Sequence, residues 1–136
     1  MTTWFPAALL SLMSFGLWGL FTKITVMHID SRSALIFQTI GVVIVGFVIL
    51  AMMNFKTATD TKGIFYALLT GTAYGIGCFF YFFAASKGKI ITVVTLTALY
   101  PLITILLAFF FLKEAINLKQ WIGIALALVA IIFMSS

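Results

Sequence analysis

A chain of 136 residues that is 64% hydrophobic and only 8% charged cannot wrap its core in a wettable surface. A soluble domain of this size carries about 25% charged residues. With a mean hydropathy of +1.26 the solvent must be lipid, and the length allows one membrane domain. The net charge of +5 does not signal nucleic acid, because the lysines are scattered at the ends of hydrophobic runs, where their heads reach for lipid headgroups.

Five apolar runs predict membrane-spanning helices at 4–22, 33–53, 63–85, 90–112 and 118–136, within one domain covering 1–136. Crossing the hydrocarbon core takes about 20 residues at about 1.5 Å each. Continuous runs without alternation favour helices over a barrel. The fold class is therefore all-α: a five-helix, up-and-down bundle, multi-pass and integral to a membrane, with the cell membrane as the expected location. The first run lacks the basic leader of a signal peptide and is followed by further spans, so it is taken as structure. The fifth has the shortest purely apolar part, 121–134.

Along the first helix Ser14, Trp18 and Thr22 recur at i, i+4 and i+8. Asp30 and Ser31 can cap the second helix, which carries Gln38 about two turns in. The third holds Ala67, Gly71 and Gly75 at four-residue spacing, with Ala73 and Gly77 on another face. Such seams let helices approach closely. Tyr74 sits between the seams and Tyr81 one face further on, while Gly88 fits a left-handed residue closing the helix. Asn117 with Gln120 has capping-box spacing before the fifth helix. Trp4 and Trp121 fall at interfaces, where indole rings prefer to lie.

The fourth run contains TALYPLIT, residues 97–104. Pro101 has no N–H, and its ring crowds the carbonyl of Thr97 four residues earlier. In lipid that carbonyl needs a hydroxyl, a neighbouring helix or a ligand. Thr97, Pro101 and Thr104 share a helical face with Tyr100 alongside. Broken helices of this kind build the sites of many secondary transporters. Against that stands ordinary packing, with threonines bonding back to their own helix.

An odd number of spans places the termini on opposite faces. One face then receives Lys56, Lys62, Lys113 and Lys119, the other Lys23, Arg32, Lys87 and Lys89. This balance leaves orientation weakly specified. Either Lys23 lies too deep to count, or the amino terminus decides, and one orientation results; or copies insert both ways and pair antiparallel.

None of the three acids, Asp30, Asp60 and Glu114, lies within a span, which argues against carboxylate-coupled export of cations. Cys78 and His28 are each the sole residue of their kind. No intramolecular disulfide, metal site, cofactor site or nucleophile–base pair is expected, and hence no catalytic residue and no enzyme.

The segments FGLWGLFTK and TALYPLITILLAFFFLKEAINLKQWIGIALALVAII resemble the EamA-type domain of the drug/metabolite transporter superfamily. The matching elements are Trp18-Gly19, Pro101 followed by Glu114 at the helix end, and Gly123 opening the fifth helix. The resemblance implies half of a ten-span, inverted-repeat transporter that moves amino acids or other small metabolites. The family often carries an arginine in the second helix where this chain has Gln38. Glu114 matches the family acid but lies at the membrane edge beside Lys113, suiting a structural or gating role.

Residues and resemblance together predict a permease for small neutral or zwitterionic metabolites such as amino acids. It would work by alternating access as an antiparallel homodimer or with an inverted paralogous half. Its small-molecule substrate would meet Trp18, Gln38, Tyr74, Thr97, Tyr100 and Pro101. Gly71, Gly75, Gly123 and Glu114 would serve structure or gating, and the outer faces would meet membrane lipid. The competing readings are a non-transporting accessory subunit of a larger membrane complex and a lipid-flippase half.

Overall fold

The computed structural model describes residues 4–113 and 115–135, with side chains through Phe133. The elements are α1 (Trp4–His28), α2 (Ser31–Met52), α3 (Thr61–Lys87), α4 (Ile90–Thr97), α5 (Tyr100–Leu107), a π-helical turn (Ala108–Leu112) and α6 (Leu118–Ser135). The protein is all-α, and helix runs through each of the five predicted stretches among the described residues, the fourth as two α-helices and a π turn. Four stretches are long and apolar enough to cross a membrane: α1, α2, α3 and the composite Ile90–Leu112. The apolar helix Leu118–Phe133 is shorter.

The helices begin where side chains take up the unpaired amides of the first turn. Asp30 caps α2: its Oδ1 accepts from the amides of Arg32 (2.9 Å) and Ser33 (3.1 Å), and its Oδ2 from the Ser33 hydroxyl (2.6 Å). Ser31 is the first helical residue instead of the cap. Asp60 does the same for α3, accepting from Gly63 N at 2.7 Å. Before α6 the predicted capping box is formed in both directions, Asn117 N to Gln120 Oε1 at 2.8 Å and Gln120 N to Asn117 Oδ1 at 2.9 Å.

Two boundaries depart from expectation. α1 continues six residues beyond Thr22 to His28, because falling hydropathy at Lys23 does not break a helix and no cap or breaker intervenes before Asp30. Lys23, counted above with the charges of the connection, therefore lies inside the helix. Gly88 does not take the left-handed conformation, since no described glycine has a positive φ. The left-handed residues are Asn54 (φ 52°), Phe55 (φ 58°) and Lys113 (φ 55°), which end α2 and the π turn.

The chain divides into two compact units at Lys87/Gly88. In the first, α1, α2 and α3 pack around Ala34, Cys78 and Phe82, with Trp18, Val26, Ile29 and Leu35 against them. Every buried residue of this unit lies towards the α1–α2 turn: Gly19, Thr22, Ala34, Cys78, Tyr81, Phe82 and Ala85. Residues 4–17, 39–49 and 61–74 are exposed throughout. In the second unit α4 lies against α6. Elsewhere large apolar side chains such as Leu10, Phe47, Leu68 and Phe110 face outward, as a lipid solvent requires.

The Asp30 carboxyl is held below its ordinary value of 3.8, first by the Ser33 hydroxyl and then by the Ser33 and Arg32 amides. A lowered folded-state value contributes stability above the ordinary carboxylate range and loses it as pH falls through the folded value. Asp30→Ala is therefore expected to lower the melting temperature of the detergent-solubilised protein at neutral pH. The gap to the parent should narrow on acidification. An unchanged gap at low pH would show that the carboxylate charge contributes nothing to the cap.

Candidate functional site

The first unit brings together two residues singled out in the sequence, Trp18 and Gln38, whose pairing the sequence does not specify. Trp18 lies on α1 and Gln38 on α2, and the indole Nε1–H donates to the amide Oε1 at 2.7 Å. Both residues are half-buried. The indole also stacks, tilted by 39°, on the ring of Tyr81 from α3 with centroids 4.6 Å apart. One residue from each helix thus meets at one level, above the floor of Ala34, Cys78 and Phe82.

This geometry leaves the amide nitrogen of Gln38 and the Tyr81 hydroxyl as polar groups beside an aromatic face. Only the amide oxygen is committed, by a bond that fixes the indole's tilt. Such a set can offer hydrogen bonds and a stacking surface to an uncharged polar solute. Tyr74, also on α3, lies one turn before Cys78 and is 44% exposed. It sits on the same unit, but no described side-chain hydrogen bond or ring contact joins it to Trp18 or Gln38.

Ser14 and Thr22, which share the repeat with Trp18, turn back on their own helix. Ser14 Oγ donates to Leu10 O at 2.9 Å and Thr22 Oγ1 to Trp18 O at 2.8 Å. Gly71 and Gly75 meet nothing: a Cβ built on either would have no atom within 4 Å. Tyr81 belongs to the cluster although sequence reasoning left it outside the site. Tyr81 was expected one face beyond Tyr74, whereas a spacing of seven puts the two on nearly the same face, which was the available signal.

The second unit holds the other three predicted residues. Helix four is broken at Ala98 and Leu99, between α4 and α5. Pro101 stands in the first turn of α5, where its missing N–H costs no intrahelical bond. The break is bridged by i to i−3 bonds, Leu99 N to Leu96 O at 3.2 Å and Leu102 N to Leu99 O at 3.0 Å. The Thr97 hydroxyl donates to Val93 O (2.8 Å) and Val94 O (3.1 Å), and so remains on its own helix. Thr104 Oγ1 likewise donates to Tyr100 O at 3.3 Å.

Pro101 lines a groove of about 480 Å³ together with Ala98, Ala108, Gln120, Gly123 and Ala127. Pro101 and Gly123 thus come together, in an apolar setting whose one polar side chain, Gln120, already serves the α6 capping box. Tyr100 points away from close packing, at 64% exposure. Glu114 falls outside the described residues.

Membrane-length apolar helices with polar side chains few and paired define an integral membrane helical protein. Residues 2–136 of the sequence match the EamA-like transporter family, and the chain belongs to that family of membrane transporters. An uncharacterized protein of Methanocaldococcus jannaschii is 38% identical over 104 residues, covering 74% of this chain and 76% of that protein. The glucose uptake protein GlcU of Staphylococcus xylosus is 32% identical over 104 residues, 76% of this chain and 35% of that protein. A probable glucose uptake protein GlcU of Staphylococcus aureus is 30% identical over 112 residues, 79% of this chain and 38% of that protein. The chain thus spans little more than a third of those two proteins. No solved structure matches it.

If the indole–amide bond holds α1 to α2, the substitutions Trp18→Phe and Gln38→Leu are not additive. A double-mutant cycle on thermal stability should return a coupling of about 1 kcal/mol, the net worth of a neutral hydrogen bond. Additivity within error would remove the bond from the account of the cluster.

Proposed function

We propose that the protein is a permease for a small uncharged solute, with a sugar as the first candidate class. The observation that carries this reading is the Trp18–Gln38 hydrogen bond with Trp18 stacked on Tyr81. Aromatic faces accept the C–H faces of a sugar ring, and an amide and a phenol exchange hydrogen bonds with its hydroxyls. The likeness to the two staphylococcal glucose uptake proteins supports the same class. Neutral or zwitterionic amino acids are the alternative within this reading. The cluster itself contributes an indole, an amide and a phenol, which suit the hydroxyls and C–H faces of a sugar; the same aromatic faces would also accept the ammonium group of an amino acid.

The matched 112 residues are 79% of this chain but 38% of the staphylococcal protein, so that protein is about twice as long. This supports a working unit of two bundles, either two antiparallel copies of this chain or one copy with an inverted paralogous half. Solute would cross by alternating access around a cavity between bundles. The break at Ala98–Leu99 would let α4 and α5 move as separate segments, which gives Pro101, Thr97 and Tyr100 a part in turnover.

Purified protein in liposomes tests the reading directly. D-glucose should enter saturably and compete with related hexoses, and Gln38→Leu should raise KM about tenfold, the value of one well-placed hydrogen bond. Pro101→Ala should rejoin α4 to α5 and lower the maximal rate with KM little changed. Saturable uptake of L-alanine with no sugar uptake would move the substrate to amino acids. Absence of uptake of either, with headgroup exchange of labelled lipid or with a larger complex recovered on pull-down, would replace the permease reading.

Orientation is a separate measurement. A reporter active only in the cytoplasm and one active only outside, each fused after Ser136, should both give signal if copies insert both ways. Signal from a single reporter would leave the inverted paralogous half as the pairing partner.

A further inference from the structure

Lys23 is a charged residue inside a membrane-length helix, half-buried and five residues before the end of α1. A lysine so placed ordinarily extends along its own helix to the headgroups. Here its Nζ donates instead across the bundle to the carbonyl of Ala85 on α3, at 2.8 Å. Ala85 lies in the last turn of α3, whose closing carbonyls have no intrahelical amide to accept from. A cation there also meets the negative end of the helix dipole.

The position of this bond gives it a second meaning. Thr22, beside Lys23, is one turn beyond Trp18, and Ala85 is one turn beyond Tyr81. The amine therefore closes α1 onto α3 one turn past the aromatic stack, on the side of the α1–α2 turn. Small residues let the two backbones come close there, Gly19 on α1 and Ala85 at 0% exposure on α3. All burial in the unit is gathered at this end, and residues 4–17 and 61–74 on the same two helices are exposed. A solute lodged beside Trp18 and Tyr81 would have Thr22, Lys23 and Ala85 between it and the α1–α2 turn.

We propose that the Lys23 amine on the Ala85 carbonyl is a latch that keeps this end of the first unit closed, and that solute leaves towards the α1–α2 turn only when the amine lets go. The proposal rests on the permease reading and deepens it by assigning a gate. An ammonium–carbonyl bond suits a latch because it can be exchanged for water or headgroup contacts as the end opens, whereas buried apolar contacts have no such substitute.

Cys78 provides the probe: it is the chain's one cysteine, 3% exposed, and packed one turn before Phe82 at the closed end. Full-length protein in liposomes is treated with N-ethylmaleimide, and the rate of Cys78 alkylation is compared among parent, Lys23→Met and Lys23→Arg. Losing a hydrogen bond from a charged donor should raise the rate about tenfold or more in Lys23→Met. Lys23→Arg, which keeps a charged donor, should restore the slow rate. Equal rates in parent and Lys23→Met overturn the latch, as does fast labelling in Lys23→Arg. If Lys23→Met fails to insert as a folded protein while Lys23→Gln inserts, Lys23→Gln carries the comparison. If neither neutral variant folds, Lys23 is required for assembly and the latch is likewise rejected. Parent uptake of D-glucose is recorded in the same liposomes. Absent uptake counts against the permease reading alone, and unchanged labelling with intact uptake against the latch alone.

Discussion

In hydrocarbon every polar group must find its partner within the chain, and the architecture follows from how each one does so. The hydroxyls take the nearest solution. Ser14, Thr22, Thr39, Thr70, Thr72, Thr95 and Thr97 all donate to a carbonyl four residues earlier on their own helix. A hydroxyl committed in this way has no proton left to donate into a cavity and can only accept there. Groups that are not satisfied so locally include the Lys23 amine, which reaches Ala85 O on α3, and the indole of Trp18 and amide of Gln38, which find each other across two helices. The aromatic–amide cluster is thus what remains after the short side chains have been absorbed by their own backbones.

The same constraint explains the fourth span. A proline in mid-membrane removes a donor, and the chain can respond by kinking, by recruiting a neighbour, or by ending one helix and starting another. The third course is taken: α4 stops at Thr97, and Pro101 falls in the opening turn of α5, where an absent N–H is harmless. The π turn at Ala108–Leu112 then closes the span, with the Lys113 amide reaching Ala108 O and the residue itself left-handed. Two α-helices separated by a turn, followed by a π turn, make this 23-residue span the least regular one.

What was legible in the sequence follows the strength of each local signal. Hydropathy over about 20 residues located the helical stretches, four of membrane length and a shorter fifth, and short-range chemistry located the caps, because Asp30, Asn117 and Gln120 act on amides two or three residues away. Trp18 and Gln38 could be singled out as costly polar groups, but their pairing could not, since it depends on how α1 meets α2. Tyr81 was overlooked for the same reason: its ring matters only against Trp18. Lys23 was misplaced because falling hydropathy was taken as the helix end, although helical geometry continued to His28. Gly88 was assigned a left-handed conformation on residue type alone, and the turn uses ordinary backbone angles.

Gly71 and Gly75 carry the argument beyond the first unit. A glycine inside a helix costs about 1 kcal/mol relative to alanine, because it gives up more backbone freedom on ordering. That cost is normally recovered where another backbone packs into the space the missing Cβ leaves. On α3 the space at both positions is open, with no atom within 4 Å, and so is the space at Gly41 and Gly46 on α2. Helical glycines with open space against them make physical sense where further helices pack into that space, since acyl chains pack as well on alanine. Helices of the chain's own second unit or of another bundle would serve equally.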